Sequence, residues 1–245
     1  MNKSISLLAI FAIIFISLPS CRDHVMRGEG AKTTKTISLE TFNAIDISIS
    51  SVTTVNVVPG SQAKIEIVGY ENHISHIFTK IEGSTLSIYD DLKPRWTFGN
   101  KKVLEFRITT PSLEELALSG ATDAYMHGNL SGKAFKLDVS GAVNVVVDSV
   151  NVTDLSADMS GAASIEINGG NAQTAAYDIS GAAKVKAFGL KTNESTTSIS
   201  GAAKAEVTAS EKLLVDISGA GKVYYKGHPV ITKDISGAGS VSDAN

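Results

Sequence analysis

Along most of this chain apolar side chains fall at every second position in short runs, as at Phe135, Leu137 and Val139, at Leu155, Ala157 and Met159, and at Leu213, Val215 and Ile217. Alternation with a period of two puts one set of side chains on one face of a β-strand, so these runs predict strands with a buried and an exposed face. Each run leads into Ser-Gly. A second alternation follows, as at Val145 and Val147, Ile165 and Ile167, Val185 and Ala187, and Val223 and Tyr225, often closed by a glycine such as Gly169, Gly189 or Gly227. Two short strands, a corner between them and a turn after them therefore recur down the chain.

The corner has a fixed period. Ser-Gly recurs at Ser119-Gly120, Ser140-Gly141, Ser160-Gly161, Ser180-Gly181, Ser200-Gly201, Ser218-Gly219 and Ser236-Gly237, each pair followed by Ala, with spacings of 21, 20, 20, 20, 18 and 18 residues. A repeat of this length, rich in glycine and β-branched residues and lacking a Leu/Asn consensus, predicts one coil of a solenoid. The expected fold is all-β: a single-stranded right-handed parallel β-helix with coils of about 18–21 residues. Coils stack about 4.8 Å apart, so a bulky side chain repeated at a corner would meet its own copies. Glycine also accepts positive φ there, and the serine hydroxyls offer an axial hydrogen-bonded ladder. Seven equivalent serines argue for structure rather than for seven nucleophiles.

Two residues before the serines lies a column of Asp138, Asp158, Asp178, Asp216 and Asp234, interrupted by Ser198. Carboxylates one coil apart repel by roughly 1 kcal/mol per neighbour in water. Either donors in the adjoining turn or a bound cation would offset this. The glycine and aspartate pattern of calcium-binding β-rolls is absent, so no metal and no cofactor is expected.

Residues 36–110 are less periodic but still β-rich, with alternation at Ile45, Ile47 and Ile49, Val55 and Val57, Ile65 and Ile67, and Leu86 and Ile88. They predict irregular early coils, ahead of regular repeats over 111–245. Asn72 to Ile77 reads as one helical turn that brings His73 and His76 close, with a surface turn favoured over a metal site because no third ligand is suitably spaced. Residues 90–102 break the repetition between two strands and hold the only tryptophan. The candidate binding residues of this projecting loop are Lys93, Arg95, Trp96, Phe98 and Lys101, since an aromatic among cations stacks on sugars or anchors protein contacts. The alternative is that Trp96 and Phe98 simply pack against the helix.

Composition then narrows the possibilities. A chain of 245 residues with 43% hydrophobic content suffices for one large core, and a formal net charge of −3 without a Lys/Arg-rich run argues against nucleic acid. Lys3 precedes an apolar run from Ile5 to Leu18, the length of a signal-peptide core and short for a membrane span. It ends in Leu18-Pro19-Ser20-Cys21, which resembles a bacterial lipobox with Cys21, the sole cysteine, as the lipidated residue. Residues 1–20 are thus expected to be a leader, 21–35 a flexible tether after the acylated cysteine, and 36–245 the β-helix domain. Two or three acyl chains would hold the protein to a membrane without spanning it.

Phe42 opening an alternating strand, the Asn72–Ile77 turn, Leu86-Ser87-Ile88, Thr110-Pro111-Ser112-Leu113 and the serial Ser-Gly-Ala corners together resemble the autotransporter adhesin head domain, or head GIN domain, family common among Bacteroidetes lipoproteins. The resemblance covers nearly all of the chain beyond Thr36. It implies a right-handed β-helix in the cell envelope, with adhesion suggested and no catalytic residues to transfer. A non-catalytic binding module facing a glycan or protein is the leading expectation. A structural envelope protein assembling as a homo-oligomer through β-helix ends is the second. A polysaccharide-active enzyme is the third, weakened because the coils lack insertions that would wall a cleft.

Overall fold

A computed structural model describes residues 24–93, 95–99 and 101–245. The leader 1–20 and Cys21 lie outside the described residues. In chain order the elements are β1 (His24–Val25), β2 (Lys32–Ser38), β3 (Ala44–Pro59), β4 (Lys64–Tyr70), α1 (Glu71–Ile74), β5 (Ile77–Glu82), β6 (Thr85–Asp90), β7 (Trp96–Thr97), β8 (Leu104–Thr110) and β9 (Glu115–Ser131). The regular coils follow as β10 (Ala134–Gly161), β11 (Ser164–Ile167), β12 (Gly170–Gly181), β13 (Lys184–Lys186), β14 (Lys191–Gly201), β15 (Lys204–Gly219), β16 (Lys222–Lys226), β17 (Val230–Gly237) and β18 (Ser240–Asp243).

These strands stack as the coils of a β-solenoid of about 6 turns. On the first face the runs that precede each Ser-Gly pair in parallel, with Ser119 beside Ser140, Ser160 beside Ser180, then Ser200, Ser218 and Ser236 in unbroken register. On the second face Ala124, Val145, Ile165, Val185, Ala205, Val223 and Val241 form one axial column. All but Val241 are buried. The two inward columns meet in one continuous core, which is what the period-two pattern demands of a chain whose neighbours lie one coil away. Tyr177 is wholly enclosed because its register neighbours Ala157 and Thr197 are small enough to leave room for the ring.

Each corner glycine has positive φ, from 92° at Gly161 to 134° at Gly201. A Cβ on Gly181 would lie 2.6 Å from the carbonyl oxygen of Gly161 in the coil before it. The expected serine ladder does not form: the serines from Ser140 onward are exposed to water, and Ser119 Oγ donates weakly to the Ile47 carbonyl at 3.4 Å. Backbone carries the axial bonding instead. The amides of Ala162, Ala182, Ala202, Ala220 and Ala238 donate to glycine carbonyls one coil back, at 2.9–3.0 Å. Glycine has no side chain to obstruct that approach.

The early coils are not stacked in chain order. β3 pairs in parallel with β6 and β8 on one side and with β9 on the other, so the coil of residues 85–110 lies outside the coil that precedes it in sequence. The chain then steps across the edge of β3, where the amide of Glu114 donates to Asn43 O at 2.6 Å and Thr110 Oγ1 donates to Phe42 O at 3.1 Å. Beyond this coil the pairing turns antiparallel, β5 against β6 on one face and β2 against β4 against β8 on the other. The antiparallel strands close the solenoid at its N-terminal end.

The tether expected over 21–35 needs correction in its described part. β2 begins at Lys32, and β1 pairs with β7. The sequence of β2, Lys-Thr-Thr-Lys-Thr-Ile-Ser, carries no apolar alternation because it is an edge strand held mainly by backbone bonds to β4. At the opposite end β17 is almost wholly exposed. There Lys233 takes the inward position that Val215 fills in the coil beneath, and an inward-pointing charge at a sheet end blocks addition of a further strand.

Candidate functional site

The loop around Trp96 lies at the N-terminal cap, fixed by the segment that leads into the domain. The amide of His24 donates to Arg95 O at 2.7 Å and that of Met26 to Thr97 O at 2.9 Å, pairing β1 with β7. The Trp96 ring stacks on His24 with centroids 5.4 Å apart and 27° between planes, and stays 38% exposed. Met26, His76, Asp91, Leu92, Lys93 and Trp96 line a hollow of about 320 Å³ beside it. Among the described residues, Arg95 is the one non-glycine with positive φ, at 69°. Such a conformation costs about 1–3 kcal/mol and is retained where the surroundings impose it.

Of the five predicted loop residues, Lys93, Arg95, Trp96 and Lys101 are exposed on this surface. Phe98 is not. It is 3% exposed, its amide donates to the buried Ser51 hydroxyl, and its ring lies 4.7 Å from that of His73. A ligand therefore cannot reach it, and it leaves the candidate set. A regular strand would put Trp96 and Phe98 on one face; the chain instead bends after β7, where the Phe98 amide donates to Ser51 Oγ and the Gly99 amide to Thr97 Oγ1, and the second ring turns into the core.

His73 also departs from expectation, being fully buried rather than on a surface turn. Its Nε2–H donates to the Met26 carbonyl at 3.0 Å, while Nδ1 is buried without a partner. Burial holds its pKa below the ordinary histidine value, against the pull of the Met26 and Arg27 backbone, with His76 and Lys32 adding to the lowering. His76 instead pairs with Asp91 at 2.6 Å on the exposed side. The two histidines serve different neighbours. Among the described residues no three His, Cys, Asp or Glu side chains are grouped to hold a metal ion.

The aspartates line up outward on the first face, Asp158 beside Asp178 and Asp216 beside Asp234 with Ser198 between the pairs. At the early end Asp46 has its pKa raised, by burial first and by Asp138 and Glu115 next. The second face carries a feature that sequence reasoning missed: Lys184, Lys204 and Lys222 stand in register on successive coils. The signal was present as a lysine four residues after Ser180, Ser200 and Ser218. Lys186 pairs with Glu166 at 2.7 Å beside it, and Lys204 lies 4.7 Å over the Tyr224 ring. The first face thus carries a row of aspartates and the second a row of lysines, flanked there by Glu166 and Glu206, which pair with Lys186 and Lys204.

Similarity to known proteins agrees with this architecture. A crystal structure described as a putative adhesin from Bacteroides fragilis NCTC 9343 matches with a TM-score of 0.82 and 22% identity, covering 89% of this chain and 100% of that one. A putative adhesin from Parabacteroides merdae ATCC 43184 matches with a TM-score of 0.69 and 25% identity over 91% of this chain and 100% of that one. A protein from Parabacteroides distasonis ATCC 8503 described as a putative lipid binding protein matches at 0.65 and 20% identity, over 90% of this chain and 99% of that one. No curated protein matches the sequence. A family model described as "Putative auto-transporter adhesin, head GIN domain" matches residues 41–229, and the chain belongs to that family.

Proposed function

We propose that this chain is a non-catalytic, adhesin-like binding module, exported by its leader and held at the cell envelope, at the outer membrane, by acylation of Cys21. Its coils present an extended surface to a glycan or protein, and the cap loop of Lys93, Arg95, Trp96 and Lys101 forms a separate contact surface. The observation that carries this reading is the regular row of Lys184, Lys204 and Lys222 one coil apart on the second face. Flat repeating faces suit elongated ligands. The opposing aspartates support binding over hydrolysis, because they point outward along one column instead of converging across a cleft.

Assembly through the solenoid ends is the weaker reading, because Lys233 interrupts the inward column of the last coil. The test is a binding screen of the full chain against acidic and neutral glycans and envelope or host proteins. Saturable binding of an acidic ligand, lost in a Lys184→Glu/Lys204→Glu/Lys222→Glu variant and unaccompanied by any product, supports the proposal. Turnover of a polysaccharide, or binding indifferent to the lysines, overturns it.

A further inference from the structure

The apolar groups exposed at the N-terminal cap are grouped with cations. Val25, 52% exposed, is paired in register with the residue after Trp96. Phe78 and Tyr89, stacked 5.8 Å apart, are exposed on the hairpin β5–β6 at the same end. Around Val25 and Trp96 lie Arg27, Lys32, Lys93, Arg95 and Lys101, all exposed and none in an ion pair among the described residues. The acidic groups at this end are Glu29 and Glu71, both exposed, Glu82, paired with Lys80, Asp90, which accepts from Ser50, and Asp91, engaged by His76.

The position of this patch along the chain identifies what it faces. His24, on whose ring Trp96 stacks, is three residues from Cys21, and three residues of fully extended chain span no more than about 11 Å. If Cys21 carries the acyl chains, the patch cannot leave the neighbourhood of the bilayer. Tryptophan concentrates at membrane–water interfaces, where its ring is half apolar and its N–H finds a partner, and Lys and Arg beside it are drawn to anionic headgroups. We infer that the Trp96 surface docks on the phospholipid membrane to which Cys21 tethers the protein. Trp96 and Val25 enter the headgroup region, and Arg27, Lys93, Arg95 and Lys101 lie against lipid phosphates. The inference rests on Cys21 being the acylated residue. Docking would hold the cap against the bilayer and direct the coils, with their charged faces, away from it.

Trp96 is the only tryptophan of the chain, so its fluorescence reports on this surface alone. The full acylated protein is reconstituted into vesicles of phosphatidylcholine with or without phosphatidylglycerol, some carrying brominated acyl chains. Docking gives a blue shift of Trp96 emission, quenching by the brominated lipid and loss of iodide quenching, all stronger with phosphatidylglycerol and weaker at high salt. A Lys93→Glu/Arg95→Glu/Lys101→Glu variant loses most of the bromolipid quenching while remaining on the vesicles. Protein that stays on the vesicles with Trp96 still fully open to iodide overturns docking and leaves the tether intact. Protein that washes off, with no acyl mass on Cys21, removes the anchor on which the inference stands. Protection of Trp96 from iodide by a soluble glycan, without bromolipid quenching, assigns the surface to a ligand and also overturns it.

Discussion

Replacing Gly181 by valine tests the stacked-corner architecture most directly. Gly181 has φ of +116°, a region L side chains rarely adopt, and the strain of holding a branched residue there is about 1–3 kcal/mol. Its Cβ would also lie 2.6 Å from Gly161 O and 3.2 Å from Gly161 N, both backbone atoms locked into the preceding coil. Neither can yield without breaking the bond from Ala182 N to Gly161 O, so overpacking adds about 1–3 kcal/mol. Together these give a loss of about 2–6 kcal/mol, or roughly 4–24 °C in melting temperature for a domain of this size. Gly181→Ala, which brings the Cβ but not the γ-methyls, should show most of the loss. Lys184→Ala, on the exposed face three residues on, should stay within about 0.5 kcal/mol. Thermal melts followed by circular dichroism, with hydrogen exchange along the coils, read both the size and the place of the defect. A Gly181→Val protein melting within about a degree of the parent, well under 1 kcal/mol, would refute the reasoning.

Phe98→Ala should cost about 3–5 kcal/mol in urea unfolding because it empties a buried ring site, whereas Trp96→Ala should cost under about 1 kcal/mol. Equal losses would show that Trp96 is also a core residue. Burial lowers the folded pKa of His73, so the native state favours the neutral ring; its stabilising contribution is complete above the unfolded value near 6.5 and is lost as pH falls through the interval below it. Acidification below the ordinary histidine range should therefore loosen the segment around Met26, seen as a fall in amide protection factors there, corrected for the intrinsic pH dependence of exchange, with β9 unaffected; protection factors that do not change as pH falls would contradict it. Lys233→Val should restore an apolar inward column at the open end and promote concentration-dependent association by sedimentation velocity, and an unchanged sedimentation coefficient would show that Lys233 does not guard that edge.

How much of this was legible beforehand depends on how far each residue's partners lie along the chain. The strands, the corner glycines and the register of the regular coils were written in the sequence, because in a solenoid each residue's neighbours are the residues two positions and one coil away. Both distances leave a visible period, and steric exclusion at the corners leaves glycine as its mark. The cap left no such mark. Its antiparallel strands pair β2 with β4 and β4 with β8, and the coil of residues 85–110 slips outside β3, so partners stand at irregular separations. The Trp96 loop was visible as an interruption, but its division was not: tertiary hydrogen bonds to Ser51 turn Phe98 inward while β1 holds Trp96 at the surface. Nor could composition show that His73 is buried, since only the folded-back Met26 carbonyl gives its ring a partner away from water. The repeating fold can be read directly from residue order because its contacts recur at a fixed spacing; the cap and its exposed surface cannot, because each contact there is made once, between segments with no period to link them.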